Sequence, residues 1–224
     1  MNNFQDFQNL KRSFNNPKII EEALTHRSWV NEHPGIRDNN ERLEFLGDAI
    51  LEFIVSKELF LQFPNKKEGF LTSLRANLVN TVSLSQTARD LGLGKELFLS
   101  KGEEETGGRE NPSLLADTVE AIIGALFIDQ GLEKAEEFIK TNILSKTQDM
   151  IRQPLKDAKS RLQEKVQSKG LPAPKYNVVK ESGPDHQKTF VVRVAVNGKY
   201  IAEGSGKSKS EAEQKAAQEA LKLL

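Results

Sequence analysis

Through roughly the first 150 residues of this 224-residue chain, apolar positions recur at three- and four-residue intervals, the period of α-helices buried on one side. The spacing predicts helices near 18–25, 40–61, 67–90, 113–128 and 132–146, with Gly or Pro close to many of the breaks. Asn16 followed by Pro17 reads as a helix entry, and KGEEETGGREN at 101–111 as a polar connection. Further along, the period changes. A helix near 154–168 ends around Gly170 ahead of LPAP, and YNVVKES, KTFVVRVAV and KYIAEGSG read as three short strands. Asn197-Gly198 is a hairpin signal between the last two, and Ser208 with Glu211 makes a capping box that opens an Ala-rich helix at Lys209. The pattern predicts an all-α domain over 1–150, a polar hinge near 148–153, and a small α-β-β-β-α domain over 154–224.

Composition narrows the setting. With 37% hydrophobic and 29% charged residues, the chain points neither to disorder nor to a membrane protein. No stretch has the length of a membrane span, and the N-terminus lacks the continuous apolar segment of a secretory signal, so no membrane partner is expected. Cysteine is absent, which excludes disulfides and thiolate metal sites. The formal net charge of +0 hides a division: residues 1–152 carry 18 Lys/Arg and 24 Asp/Glu (18 − 24 = −6), and residues 153–224 carry 14 and 8 (14 − 8 = +6). The second part is therefore suited to seek a polyanion.

Candidate chemistry lies in the acidic part. Glu44 and Asp48 interrupt NERLEFLGDAILEFIV, and Asp117 and Glu120 are the only charges from Leu114 to Ile128. At about 100° per residue, Glu41, Glu44, Asp48 and Glu52 share one face of their helix, opposite Leu43, Leu46, Ile50, Phe53 and Ile54, which are expected to enter the core. The second helix is so apolar that its two acids cannot both face free solvent. Facing one another, the two pairs would form an oxygen-rich cage for a divalent cation; the alternatives are a solvated face or protonated acids bonded across a core. Oxygen donors without Cys favour Mg²⁺ over Zn²⁺, and His26 and His33 lack the spacing of a zinc motif.

Phe45 sits beside the acidic stripe, where it fills a gap within the chain, seats in a second subunit, or faces substrate. Glu68 is an accessory acid candidate, and Arg75 and Asn77 are candidates to position water, phosphate or nearby helices. In the basic part, Lys207 and Lys209 surround a helix N-terminus, Lys215 lies further along it, His186 and Lys188 belong to a loop, and Gln163 and Glu164 offer polar tips on the first helix. Three such contact elements suit the shape of duplex RNA.

Taken together, these segments resemble bacterial ribonuclease III. NERLEFLGDAILEF at 40–53 is similar to that family's hallmark segment, LTHRSW at 24–29 to an upstream one, and ADTVEAIIGALFID at 116–129 to the helix completing its acidic site. GPDHQKTFVVRV and GSGKSKSEAEQKAA resemble its double-stranded RNA-binding domain. The resemblance implies an all-α endonuclease domain followed by that RNA-binding domain, in a cytoplasmic homodimer that needs Mg²⁺, or Mn²⁺ in its place, and no organic cofactor. It implies that Glu44, Asp48, Asp117 and Glu120 form the metal site, that Glu41 and Glu68 support it, and that Phe45 inserts into the partner subunit. It further implies cleavage of precursor ribosomal RNA and structured transcripts to 5′-phosphate and 3′-hydroxyl ends with short 3′ overhangs. Ser210 departs from the family pattern, which often has consecutive lysines here. A duplex-RNA-binding dimer without catalysis is the main alternative; a carboxylate-bridged redox bundle leaves the basic module unexplained.

Overall fold

The computed structural model describes residues 4, 6–152, 155, 157–184 and 187–224. The chain divides into two units, Met1–Leu155 and Lys156–Leu224.

The first unit is helical: α1 (Phe7–Ser13), α2 (Pro17–Ala23), α3 (Arg27–Glu32), α4 (Glu41–Gln62), α5 (Glu68–Val79), α6 (Thr81–Asp90), α7 (Lys101–Glu105), α8 (Pro112–Gln130), α9 (Leu132–Asn142) and α10 (Thr147–Ile151), with 3-10 turns at Leu93–Glu96, Gly108–Glu110 and Leu144–Lys146. Two Asn-Pro pairs start helices in the same manner. The Asn16 side chain accepts from Lys18 N–H and Asn111 from Ser113 N–H, while Pro17 and Pro112 occupy first-turn positions that need no donor. Almost every face of α8 is covered: Leu115, Ala116, Val119 and the run Ala121–Leu126 are buried.

Helices α4 and α8 cross with backbone against backbone. A Cβ on Gly47 would stand 1.8 Å from the Glu120 carbonyl oxygen, and one on Gly124 would stand 2.2 Å from that of Leu43. This approach turns toward α8 the side of α4 that carries Gly47, Leu51 and Val55, all buried. Phe53, expected in the core, is consequently 56% exposed.

Other expectations are corrected by local capping. The span read as one helix at 67–90 is α5 and α6, broken at Asn80, whose extended backbone and side-chain acceptor for Ser83 N–H start a new helix. The polar connection at 101–111 contains α7, capped by Ser100 on Glu103 N–H. Helix α1 was not expected; Asp6 caps it and Phe7, Leu10 and Phe14 bury one face. Helix α10 occupies much of the expected hinge, and Asn77 Nδ2 donates to the Leu155 carbonyl at 2.8 Å, tying the chain to the first unit beyond residue 150.

The second unit runs α11 (Ala158–Gln167), β1 (Lys175–Ser182), β2 (Thr189–Val196), β3 (Lys199–Gly206) and α12 (Lys209–Leu223). Its antiparallel sheet has the order β1-β2-β3. Asn197 and Gly198 both take positive φ, 49° and 76°, as a two-residue hairpin turn of this hand demands. Ala212, Ala216, Ala217 and Ala220 are buried with Leu162, Val166, Val194 and Val196. The small side chains let α12 lie close on the sheet, and Ser208 caps it by accepting from Glu211 N–H.

Candidate active site

Burial on α4 sorts its acids. Glu44 falls on the angular sector between Leu51 and Val55 and is half-buried, whereas Glu41 and Asp48 are exposed. Opposite it, α8 presents Asp117 and Glu120 one turn apart, both half-buried. One carboxylate oxygen from each of Glu44, Asp117 and Glu120 lies within 4.8 Å of the other two. Asp48 remains outside that trio, on the exposed side of α4, yet its charge contributes to the environment of both Glu44 and Glu120.

The electrostatics are those of acids held together against their repulsion. Burial, then the charges of Asp48, Asp117, Glu44 and Glu52, pushes Glu120 up to about 8. Burial followed by Asp117, Glu41 and Asp48 raises Glu44, and burial raises Asp117 despite the opposing influence of His26. Three converging, partly desolvated oxygen donors suit a hard divalent cation, which would reverse this penalty and keep the group ionised.

A cavity of about 220 Å³ adjoins two of these acids, lined among others by His26, Arg27, Glu41, Glu44, Asp117 and Thr118. Glu41 accepts from Asn39 Nδ2 at 3.2 Å and stands 3.7 Å from Arg27. Burial lowers the His26 pKa, with Glu103, Glu41 and Asp117 opposing it and Arg27 assisting. His33, by contrast, stacks on Trp29 with ring centroids 4.2 Å apart.

The accessory candidates lie apart from the trio. Arg75 pairs with Glu52 at 2.9 Å and donates to Ser56 Oγ at 2.8 Å. Glu68 accepts from Thr72 Oγ1 at 2.7 Å and shares a hollow with Arg75 and Phe60. Asn77 is engaged with Leu155 and lines a different hollow, with Asn80, Gln86 and Lys146. Phe45 is 82% exposed, which excludes filling a gap within the chain. It borders a hollow lined by Ile19, Leu43, Leu46 and Ile128 together with Glu22, Glu41 and Arg42.

In the second unit Gln163 and Glu164 are exposed on α11. Lys207 N–H donates to the Glu211 carboxylate at 2.8 Å, and Lys215 pairs with the same carboxylate at 2.8 Å. Lys209 lies 5.7 Å from the centre of the Phe190 ring, and Lys188 stands 3.2 Å from Glu181. His186 lies outside the described residues.

Sequence reasoning weighed His26 only as a metal ligand and set it aside for want of zinc-motif spacing. Its position depends on a residue 72 places away: His26 N–H donates to the Phe98 carbonyl at 3.0 Å, and Thr25 forms a parallel bridge with Phe98. Only the LTHRSW segment hinted at it.

Comparison with known proteins covers both units. Residues 16–147 match the family described as Ribonuclease-III-like, and residues 158–224 match the double-stranded RNA binding motif. The chain is 48% identical over 223 residues to Ribonuclease 3 of Geobacillus kaustophilus, covering 99% of this chain and 91% of that one. It is 50% identical over 212 residues to Ribonuclease 3 of Anoxybacillus flavithermus, covering 94% and 89%. Among solved structures, the nuclease domain of ribonuclease III from Campylobacter jejuni, described as structurally flexible in a region involved in dimer formation, aligns with a TM-score of 0.57 at 42% identity, over 62% of this chain and 93% of that one.

Proposed function

Because the chain belongs to the ribonuclease III family and is an endonuclease of double-stranded RNA, we propose that Glu44, Asp117 and Glu120 hold a divalent cation, Mg²⁺ or Mn²⁺, at the centre of its active site. The observation that carries this reading is the approach of three half-buried carboxylates to within 4.8 Å. A bound cation of this kind activates water and neutralises charge on a phosphate.

The chain's residues supply the geometry. Glu44 and the α8 pair aim their oxygens at one point because the Gly47–Gly124 crossing brings the helix backbones together. Asp48, exposed beside them, joins the site from its open side, where the RNA backbone approaches. Glu41 shares the adjoining cavity with Asp117 and Glu44 as a supporting acid. Glu68, Arg75 and Asn77 act at a remove: Arg75 secures Glu52, whose charge reaches Glu120, and Asn77 holds Leu155. In the reaction water adds to phosphorus and the P–O3′ bond breaks, leaving a 3′-hydroxyl and a 5′-phosphate.

The second unit supplies duplex affinity, through Gln163 and Glu164 on α11, His186 and Lys188 in the loop, and Lys207, Lys209 and Lys215 around α12. Lys215 must exchange its Glu211 partner for a phosphate, and Ser210 offers no charge beside Lys209. Phe45 projects next to the hollow bounded by Ile19, Leu46 and Ile128, a knob and a socket on one face, as a two-fold homodimer requires. Two subunits then cut opposite strands and leave short 3′ overhangs. Precursor ribosomal RNA and structured transcripts are the proposed substrates and the cytoplasm the proposed compartment; among the described residues no helix is long and apolar enough to cross a membrane.

The deciding experiment is Glu120→Gln, nearly equal in size but without the charge. Cleavage of duplex RNA in Mg²⁺ is expected to fall by more than about a hundredfold while RNA binding is kept. Cleavage near the unmodified rate with folding intact would refute the assignment.

A further inference from the structure

His26 sits at the start of α3 with its imidazole fixed on one edge. Ser28 N–H donates to Nδ1 at 3.3 Å, and Ser28 Oγ lies 2.8 Å from the same nitrogen. That hydroxyl already accepts from Ser100 N–H at 3.0 Å, so its own proton is available to Nδ1. Nδ1 thus accepts from Ser28 N–H, and a neutral imidazole with Nδ1 as its acceptor carries its proton on Nε2. The backbone around it is clamped as well, through His26 N–H to the Phe98 carbonyl at 3.0 Å and Phe98 N–H to the Leu24 carbonyl at 2.9 Å.

With Nδ1 turned to the first turn of α3, the Nε2 edge is left for the cavity that His26 lines together with Glu44 and Asp117. At about 220 Å³ this cavity has room for water, and its acid lining supplies the polar partners that ordered water needs. A donor in that position bears on the carboxylate next to it, much as outer-shell partners orient the ligands of metal sites.

We propose that His26 is a positioning residue for the carboxylate site: its Nε2–H donates into the shared cavity and, through water held there, fixes the orientation of Asp117. The inference rests on the reading of Glu44, Asp117 and Glu120 as a cation site. It assigns His26 two separable duties, one per nitrogen: Nδ1 caps α3, and Nε2 serves the acids.

The two duties can be parted by substitution in the full chain. Asn places an acceptor where Nδ1 sits and keeps the cap but has no donor at the Nε2 position. Gln places an amide N–H there and gives up the cap. Mn²⁺ titration without RNA, together with thermal unfolding, compares both variants with the unmodified protein. His26→Asn is expected to unfold like the unmodified protein yet bind Mn²⁺ about tenfold or more weakly, and His26→Gln to recover much of the affinity despite a lower unfolding temperature. His26→Asn binding as tightly as His26→Gln overturns the proposal. If neither variant folds, ¹⁵N NMR of the unmodified imidazole decides. A ring protonated on Nε2, whose Nε2 signal moves on adding Mg²⁺, is expected; a ring protonated on Nδ1, or an Nε2 signal that Mg²⁺ leaves in place, overturns it. An unmodified protein that binds no Mn²⁺ overturns the cation reading and this inference together, whereas normal binding by both unmodified protein and His26→Asn overturns the inference alone.

Discussion

A carboxyl group that burial and four neighbouring acids push up to about 8 keeps its proton at neutral pH unless a cation takes its place. Glu120 thereby links folding to the site's chemistry. In the unfolded chain it ionises near 4.5, in the cation-free folded chain near 8. Between those values the folded state holds a proton the unfolded state has released, so stability falls as pH rises through this window and levels off above it. Thermal unfolding in EDTA is expected to show this decline, and Glu120→Gln to flatten it and unfold at a higher temperature at the alkaline end. Adding Mg²⁺ should restore the unmodified protein there and leave the variant nearly unmoved. A parallel pH profile for the two proteins would show that Glu120 is not the group responsible. At this scale the sequence was informative about which residues matter and less so about their inequality. The unusual acids in apolar helices were visible, but Glu44 and Asp48 differ because the Gly47 contact turns α4, a fact that belongs to a second helix.

Helices α4 and α8 meet where side chains are missing. Replacing Gly47 with Ala in a free helix would gain about 1 kcal/mol of propensity. Here the added methyl meets the Glu120 carbonyl at 1.8 Å, a clash with backbone that no rotamer relieves. Gly47→Ala is expected to cost about 1–3 kcal/mol net and, by shifting the Glu120 backbone, to weaken cation binding; denaturant unfolding measures the first. A gain in stability would mean that the crossing is looser than its geometry. The same contact explains which elements the sequence disclosed. Long periodic segments such as α8 were legible because nearly all of their faces are buried. The break at Asn80 and the helix at α7 were not, because a single capping side chain decided each against an otherwise continuous or polar pattern. Helix α1 was overlooked although Phe7, Leu10 and Phe14 carry its spacing, since it lacks the Asn-Pro entry that disclosed the equally short α2. In the second unit, period, turn and cap all agreed, and the α-β-β-β-α order followed.

At the scale of the whole molecule, α4 leaves large apolar side chains in solvent. Phe45, Phe53 and Phe60 are all exposed along one side of the helix. Phe45→Glu is expected to halve the mass measured by sedimentation while leaving the unfolding of the monomer largely unchanged, because the ring has little contact with its own chain. An unmodified protein that already sediments at 25.1 kDa would remove the dimer from the proposal. The charge division has a different consequence. The two units carry opposite charges of equal size, so the molecule has no net charge to keep copies apart near its pI of about 6.9. In dilute buffer the basic unit of one copy attracts the acidic unit of another. Simple salt then acts as a solubilising agent, while the same salt loosens RNA, so clarity of the solution and affinity for duplex move in opposite directions with ionic strength.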